Sequence, residues 1–340
     1  MLRAAIIGHG EISKAHRKAF WELEKSGKAK LVCACDIDPD AFERNKMTER
    51  DIKDSEFTEN IGHYTELEKM LSDQELDLIN ICIPTDLHCE ISVRMLERGY
   101  HVLCEKPMAL SYGDCQRMLN AAAKSKKELM VGQCVRFYPA YDYIKLAIDE
   151  GSFGKVIGAH FSRLGPTPSS EKRVDNWFID PKRSGGCITD LHIHDVDLIR
   201  YLFGEPEAVC SRASSSVCVY DTVHSSFKYG DIPVTAIADW SMTGFKFSAR
   251  SLINLERATI AFDGRTVTVY PKDGKAPYEA ELKNESGHFG EISYFCDVIE
   301  GKLENTKNTA QSAALTVKMI EKLKESIMLG GEYLLWEEGK

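Results

Sequence analysis

Over the first 130 or so positions, the apolar residues fall in short unbroken runs, each closed by glycine, proline or an acid. Residues 4–7 lead into Gly8-His9-Gly10. Residues 31–35 end in Asp36, residues 77–83 end at Pro84-Thr85-Asp86, and residues 101–104 end in Glu105-Lys106-Pro107. Continuous apolar runs without alternation suit parallel strands buried on both faces. Between the runs, apolar positions recur at helical spacing. Ala15, Ala19, Phe20 and Leu23 follow the first, and Ile91, Met95 and Leu96 follow the third, with Gly99 as the stop. A further helix is expected over 112–124, and Leu129-Met130-Val131 reads as the strand where the chain leaves the domain. This alternation predicts a doubly wound α/β domain over residues 1–128.

The period changes after Lys155. Residues 156–163, 208–220, 223–229, 234–242, 248–255 and 266–270 read as strands separated by short turns, with Tyr229-Gly230-Asp231 and Asp263-Gly264 as hairpin candidates. One helix interrupts them over 187–203, ending at Gly204, and another over 311–329 closes the chain. Residues 129–340 are therefore expected to form an α+β domain with a large, mainly antiparallel sheet.

Two features of the first domain carry chemistry. Pro107 lacks an N–H and disfavours helix at Lys106, so the fourth run stops there and places a lysine at the carboxyl end of a parallel strand. Open α/β sheets bind ligands at that edge. The turn Gly8-His9-Gly10-Glu11-Ile12-Ser13 between strand and helix has the form of a dinucleotide cradle. Its first glycine makes the turn, its second admits the pyrophosphate, and the helix N-terminus at Glu11 and Ile12 receives the charge. Ser13 stands where a third glycine is usual. Asp36, ending the second run, is placed to accept from the ribose 2′-hydroxyl and to repel a 2′-phosphate, which favours NAD over NADP.

In the second domain, Asp190-Leu191-His192-Ile193-His194-Asp195 concentrates polar groups on a helix. His192 and His194 would stand about 200° apart on it, so a shared metal ion is not expected. Asp190 and His194 are four apart and would share a face. A histidine beside a carboxylate suits proton transfer near neutral pH.

Composition narrows the setting. The 340 residues carry a net charge of −9, which argues against nucleic-acid binding. No apolar run is long enough to span a membrane. Residues 4–7 are too short for a signal-peptide core and meet a glycine turn instead of a cleavage site, so a cytoplasmic location is expected. The eleven cysteines include no Cys-x-x-Cys and are read as buried thiols.

These motifs together resemble the Gfo/Idh/MocA oxidoreductases. The matching pieces are Gly8-x-Gly10, Asp36, Pro84-Thr85-x-x-His88, Glu105-Lys106-Pro107, Arg136-Phe137-x-Pro139-Ala140-Tyr141, Trp177-x-x-Asp180-Pro181, Gly185-Gly186 and Asp190-x-x-x-His194. Ser13 and Cys187 depart from the usual glycines. The resemblance implies a Rossmann domain, a second domain with an open sheet that serves oligomer contacts, and a substrate cleft. It adds Pro84, Thr85, His88, Glu105 and Lys106 to the cofactor-binding group. Arg136, Tyr138 and Trp177 are weaker candidates for substrate contact.

The expected reaction is hydride transfer between a secondary alcohol of a sugar, cyclitol or related polyol and NAD. His194 is the expected base, Lys106 the group that stabilises alkoxide charge, and Asp190 the orienting carboxylate. An unperturbed lysine, with a pKa of about 10.4, is a poor base at neutral pH. An NAD-assisted glycosidase and a non-catalytic nucleotide-sensing regulator stay open as alternatives. A homodimer or homotetramer through the second sheet is expected. The Lys106–Pro107 bond is open to either isomer.

Overall fold

In the computed structural model, which describes residues 1–47, 60–168 and 176–337, the early apolar runs become one parallel sheet. Its strands are β1 (Leu2–Ile7), β2 (Ala29–Cys35), β3 (Gly62–Tyr64), β4 (Leu78–Ile81), β5 (His101–Glu105) and β6 (Leu129–Gly132), in the order β3-β2-β1-β4-β5-β6. All pairings are parallel. The strand order reverses between β1 and β4, and open α/β sheets bind ligands at the carboxyl end of such a switch point.

Side chains alternate across a strand, so Ile6, Asn80 and Leu103, which pair in register, share one face of the sheet. Along most of its length that face is apolar. Ala4, Ile6, Leu78, Leu103 and Met130 form a core with Phe20 and Leu23 of α1 (Glu11–Lys25) and with Ile292 and Phe295 of the helix Gly287–Ile299.

The chain divides into two compact units. The first comprises Met1–Ala109, Gly113–Phe137 and Glu285–Ala313; the second comprises Leu110–Tyr112, Tyr138–Asn284 and Ala314–Lys340. These units depart from a division at 128/129 in two ways. β6 stays in the first sheet, and the helix Gly287–Ile299 returns to the first unit from far along the chain. That helix was not expected from periodicity. Ser286 caps it by accepting from the Phe289 N–H at 3.1 Å. Lys28 pins it through Asp297 at 2.7 Å. Gly290 lies inside it where a Cβ would meet the Phe137 Cβ at 3.3 Å, so a residue that weakens helix propensity allows close packing.

The second unit holds a nine-stranded sheet, ordered β14-β13-β12-β11-β7-β10-β9-β8-β15. The strands are β7 (Val156–Leu164), β8 (Ala208–Ser214), β9 (Thr222–Tyr229), β10 (Ile232–Asp239), β11 (Ser248–Leu255), β12 (Ala258–Phe262), β13 (Val267–Pro271), β14 (Tyr278–Glu279) and β15 (Leu334–Leu335). Every pairing is antiparallel except β7 with β10. Both expected hairpins form, with Gly230 at φ +60° and Gly264 at φ +100°. The strand expected over 208–220 stops at Ser214, and the one expected over 234–242 stops at Asp239. In the first case Asp221 gathers the Ser216, Val217 and Cys218 N–H groups into a loop. In the second, Asp239 accepts from the Ser241 N–H and turns the chain.

The helix expected over 187–203 is broken into Cys187–Asp190 and Ile193–Phe203. His192 N–H reaches back five residues to the Cys187 carbonyl, and His194 N–H reaches back three to Leu191. A wide turn followed by a tight one interrupts the helical phase. All eleven cysteines are free thiols, and only Cys210 and Cys218 are partly exposed. No helix among the described residues is long and apolar enough to cross a membrane.

Candidate active site

The carboxyl edge of the first sheet collects most of the expected site residues. Gly8 takes φ +94° and lies against the Cys82 carbonyl so closely that a Cβ could not be placed there. Its N–H donates to the Cys35 carbonyl at 2.8 Å, joining the ends of β1 and β2. Gly10 caps α1, and a Cβ on it would project into open space. The N-terminus of a fifteen-residue helix is therefore uncovered by side chains, which fits a diphosphate. Glu11 is exposed and pairs with Lys14 at 3.2 Å, so its backbone is what it offers an anion. Ile12 is 40% exposed beside it. Ser13 is fully buried, and its hydroxyl donates to the Gly10 carbonyl at 2.6 Å. The serine thus closes the turn from inside.

Asp36 follows β2 and binds back to the turn. Its Oδ2 accepts from the His9 N–H at 2.7 Å and its Oδ1 from the Asp38 N–H at 2.9 Å. The carboxylate is held where the dinucleotide fold needs an acceptor for a ribose hydroxyl. These groups fit NAD, whose pyrophosphate would be held by Gly8, Gly10 and the first turn of α1.

Past β4, Pro84 leads into a short turn, Thr85–Leu87, with Thr85 buried. His88 is also buried. Its Nδ1 faces the Pro107 carbonyl at 2.7 Å and its Nε2 faces the Ile83 carbonyl at 2.9 Å. It therefore ties the loop after β4 to the loop after β5. Lys106 follows β5 and precedes Pro107 across a cis peptide bond.

Glu105 is turned inward. Its Oε1 accepts from His16 Nε2 at 2.7 Å and its Oε2 from the Lys106 N–H at 3.1 Å. Burial alone would raise its pKa. The hydrogen bond from His16, with the positive charge of Lys106 nearby, lowers it instead, to about 2. Among the described residues, His16, Glu105 and His288 bring ligand atoms within 4.8 Å of one another. The His16–Glu105 contact is itself a hydrogen bond, which leaves no room for an ion between those atoms. Neither His16 nor His288 was singled out from sequence. His16 lies on the stripe of Phe20 and Leu23, four and seven residues away, so its burial was legible though its partner was not.

Arg136 is also inward. Its guanidinium donates to the Lys307 carbonyl and the Ser312 hydroxyl, both at 2.9 Å. These bonds give the buried guanidinium partners within the protein.

In the second unit, the Asp190–Asp195 string separates into roles. His192 is fully buried, with Nε2 2.8 Å from the Ser225 hydroxyl, and burial followed by the charge of Arg163 brings its pKa to about 3. Asp195 is buried against Arg163 at 2.9 Å; burial raises its pKa and Arg163 offsets part of the rise. Both are committed to the core, whereas His194 is only half-buried and Asp190, on the short helix before it, is buried. Gly185 and Gly186 take φ +75° and +76°, and a Cβ on Gly185 would strike the Thr189 side chain. They bend the chain into the short helix that carries Asp190. Trp177 stacks on Phe178 at 4.0 Å, and Tyr138 caps the helix Pro139–Asp149.

Residues 2–133 match the family model described as an oxidoreductase family with an NAD-binding Rossmann fold, and residues 141–265 match the GFO/IDH/MocA C-terminal domain. The chain belongs to the Gfo/Idh/MocA oxidoreductase family. Among relatives, the inositol 2-dehydrogenase of Rhizobium meliloti is 28% identical over 271 residues, covering 78% of this chain and 72% of its own. The myo-inositol 2-dehydrogenase of Thermotoga maritima is 27% identical over 275 residues, covering 81% and 74%. A solved levoglucosan dehydrogenase, in complex with NADH and levoglucosan, superposes with a TM-score of 0.82 over 98% of this chain and 99% of that one, at 19% identity. That likeness is one of fold. The family membership accounts for the NAD-binding turn and for the pairing of a Rossmann sheet with a large second sheet.

Proposed function

We propose that this oxidoreductase is an NAD-dependent dehydrogenase that oxidises a secondary alcohol of a cyclitol, sugar or related polyol. The observation that carries the reading is the joint placement of three features at one sheet edge: the Gly8-x-Gly10 turn, the Asp36 carboxylate held beside it, and Lys106 directly after β5. The two inositol dehydrogenase relatives, each aligned over most of both chains, support a polyol as the substrate class. Asp36 favours NAD, since a 2′-phosphate beside a carboxylate is repelled.

Gly8, Gly10 and the first turn of α1 would hold NAD, which would supply the hydride acceptor for the carbinol carbon. His194 takes the hydroxyl proton, since an imidazole can act as base near neutral pH. Lys106 places positive charge against the developing alkoxide. Asp190 orients the alcohol or His194. Tyr138 and Trp177 are weaker candidates for substrate contact. One face of the second sheet exposes Leu252 opposite His160, with Arg250 beside it and Tyr270 farther along, a mixed surface suited to a homodimer or homotetramer. The test is NADH formation with a panel of inositols, aldoses and anhydro-sugars. Turnover with a cyclitol or sugar supports the reading. Release of a sugar substituent without net NADH would replace it with a glycosidase.

A further inference from the structure

Polar side chains interrupt the apolar face of the first sheet at one place, the carboxyl ends of β4 to β6. Asn80 and Glu105 lie there with His16 of α1, and His288 packs its ring edge-on at 5.2 Å from that of His16. Burying such groups is costly unless each finds a partner. His16 Nε2 stands 2.7 Å from Glu105 Oε1, and Asn80 Nδ2 stands 2.8 Å from His16 Nδ1. The Cys82 thiol donates to Asn80 Oδ1 at 3.7 Å, which turns the amide nitrogen toward His16. His16 therefore accepts at Nδ1 and donates from Nε2. The remaining oxygen of Glu105 accepts the Lys106 N–H, the first beyond the strand. Gly132 on β6 makes room for the carboxylate, since a Cβ there would lie 3.0 Å from Oε1.

We propose that His16 is a positioning residue for Lys106: it fixes the Glu105 carboxylate, and the carboxylate fixes the backbone from which Lys106 projects. This rests on the dehydrogenase reading, in which Lys106 acts on the alkoxide. Asn80 and Cys82 hold the imidazole in the tautomer that donates to Glu105. The chain of bonds thus runs from β4 through α1 to the residue after β5. A shift of the lysine by about 1 Å is enough to cost roughly 100-fold in rate.

The test uses the full chain with NAD and myo-inositol, or the polyol of the panel that reduces NAD fastest. His16→Leu removes the donor, whereas His16→Gln keeps an amide N–H near the place of Nε2. His16→Leu is expected to lower kcat by about 10- to 100-fold with the NADH Kd within about threefold. His16→Gln is expected to recover most of that loss. On a Lys106→Ala background, His16→Leu should add less than about twofold, because its effect runs through the lysine. Wild-type turnover by His16→Leu, or an undiminished further loss on that background, overturns the proposal. If His16→Leu fails to fold, shown by lost NADH binding, Glu105→Gln takes its place with the same expected dependence on Lys106. The dehydrogenase reading fails in a different way: Lys106→Ala keeps its turnover, or no polyol reduces NAD. Either result removes the premise and the proposal with it.

Discussion

Removing the Asp36 carboxylate should change both the strength and the selectivity of cofactor binding. The side chain already accepts two backbone N–H groups, from His9 at 2.7 Å and Asp38 at 2.9 Å. A carboxylate offers about four acceptor positions, so about two remain for the ribose hydroxyls. A hydrogen bond to a charged group contributes about 1.5–3 kcal/mol, so Asp36→Ala should weaken NAD by roughly 10- to 150-fold for each bond lost. Against NADP the same charge is unfavourable. Two unit charges about 5 Å apart, at an effective dielectric constant of about 20, repel by about 3 kcal/mol, a factor of roughly 100. The wild-type protein should therefore prefer NAD to NADP by about that factor, and Asp36→Ala should bring the two within about tenfold. Asp36→Asn keeps an acceptor for the His9 N–H while removing the charge. It should narrow the preference while losing only the Asp38 bond in the turn, so its Tm should fall less than that of Asp36→Ala, which separates electrostatics from support of the turn. Fluorescence titration of the reduced cofactors gives all of these Kd values. Equal wild-type affinity for the two, or an Asp36→Ala protein with both Kd values unchanged, would refute the reasoning.

Three other perturbations follow from the buried groups and the proposed roles. His194→Ala should lower kcat by about 100-fold or more while NADH affinity holds, and near-normal turnover on the best polyol would remove His194 as the base. Arg163→Met strands the Asp195 carboxylate in the core and should cost about 3–5 kcal/mol in urea unfolding. Adding Asp195→Leu should return most of that stability, and the same loss in both proteins would contradict the pairing. His192 has a pKa of about 3 when folded and about 6.5 when unfolded, so the unfolded chain binds the extra proton between those values. Its contribution to stability therefore falls as pH drops through that window. His192→Gln should flatten the slope of stability against pH by up to about 1.4 kcal/mol per unit between about pH 4 and 6, and an unaltered slope would show that another group titrates there.

How far the chain could be read in advance depended on whether a feature was local. The β-strands of the first sheet end in residues that cannot continue them, so Gly8, Asp36, Pro84 and Lys106 marked its carboxyl edge directly. The hairpins at Gly230 and Gly264 were legible for the same reason, since each needs a positive φ. The helix Gly287–Ile299 was not legible. Two of its residues are glycines, and its partners Phe20 and Leu23 lie more than 250 positions away, beyond any local period. The shared face of Asp190 and His194 assumed unbroken helical phase, which the turn at Leu191 and His192 interrupts. Arg136 and His88 were read by motif as ligand contacts, and the motif did not show the bonds that each also makes to a distant backbone carbonyl.

The central claim is that Lys106, at the carboxyl end of β5, serves NAD-dependent oxidation of a polyol. It is tested most directly by following NADH absorbance with wild-type and Lys106→Ala proteins, across the polyol panel, at saturating NAD. The expected result is turnover of a cyclitol or sugar by the wild type, with kcat lowered by about 100-fold or more in Lys106→Ala and NADH Kd unchanged. Equal turnover by the two proteins on the best substrate would contradict it.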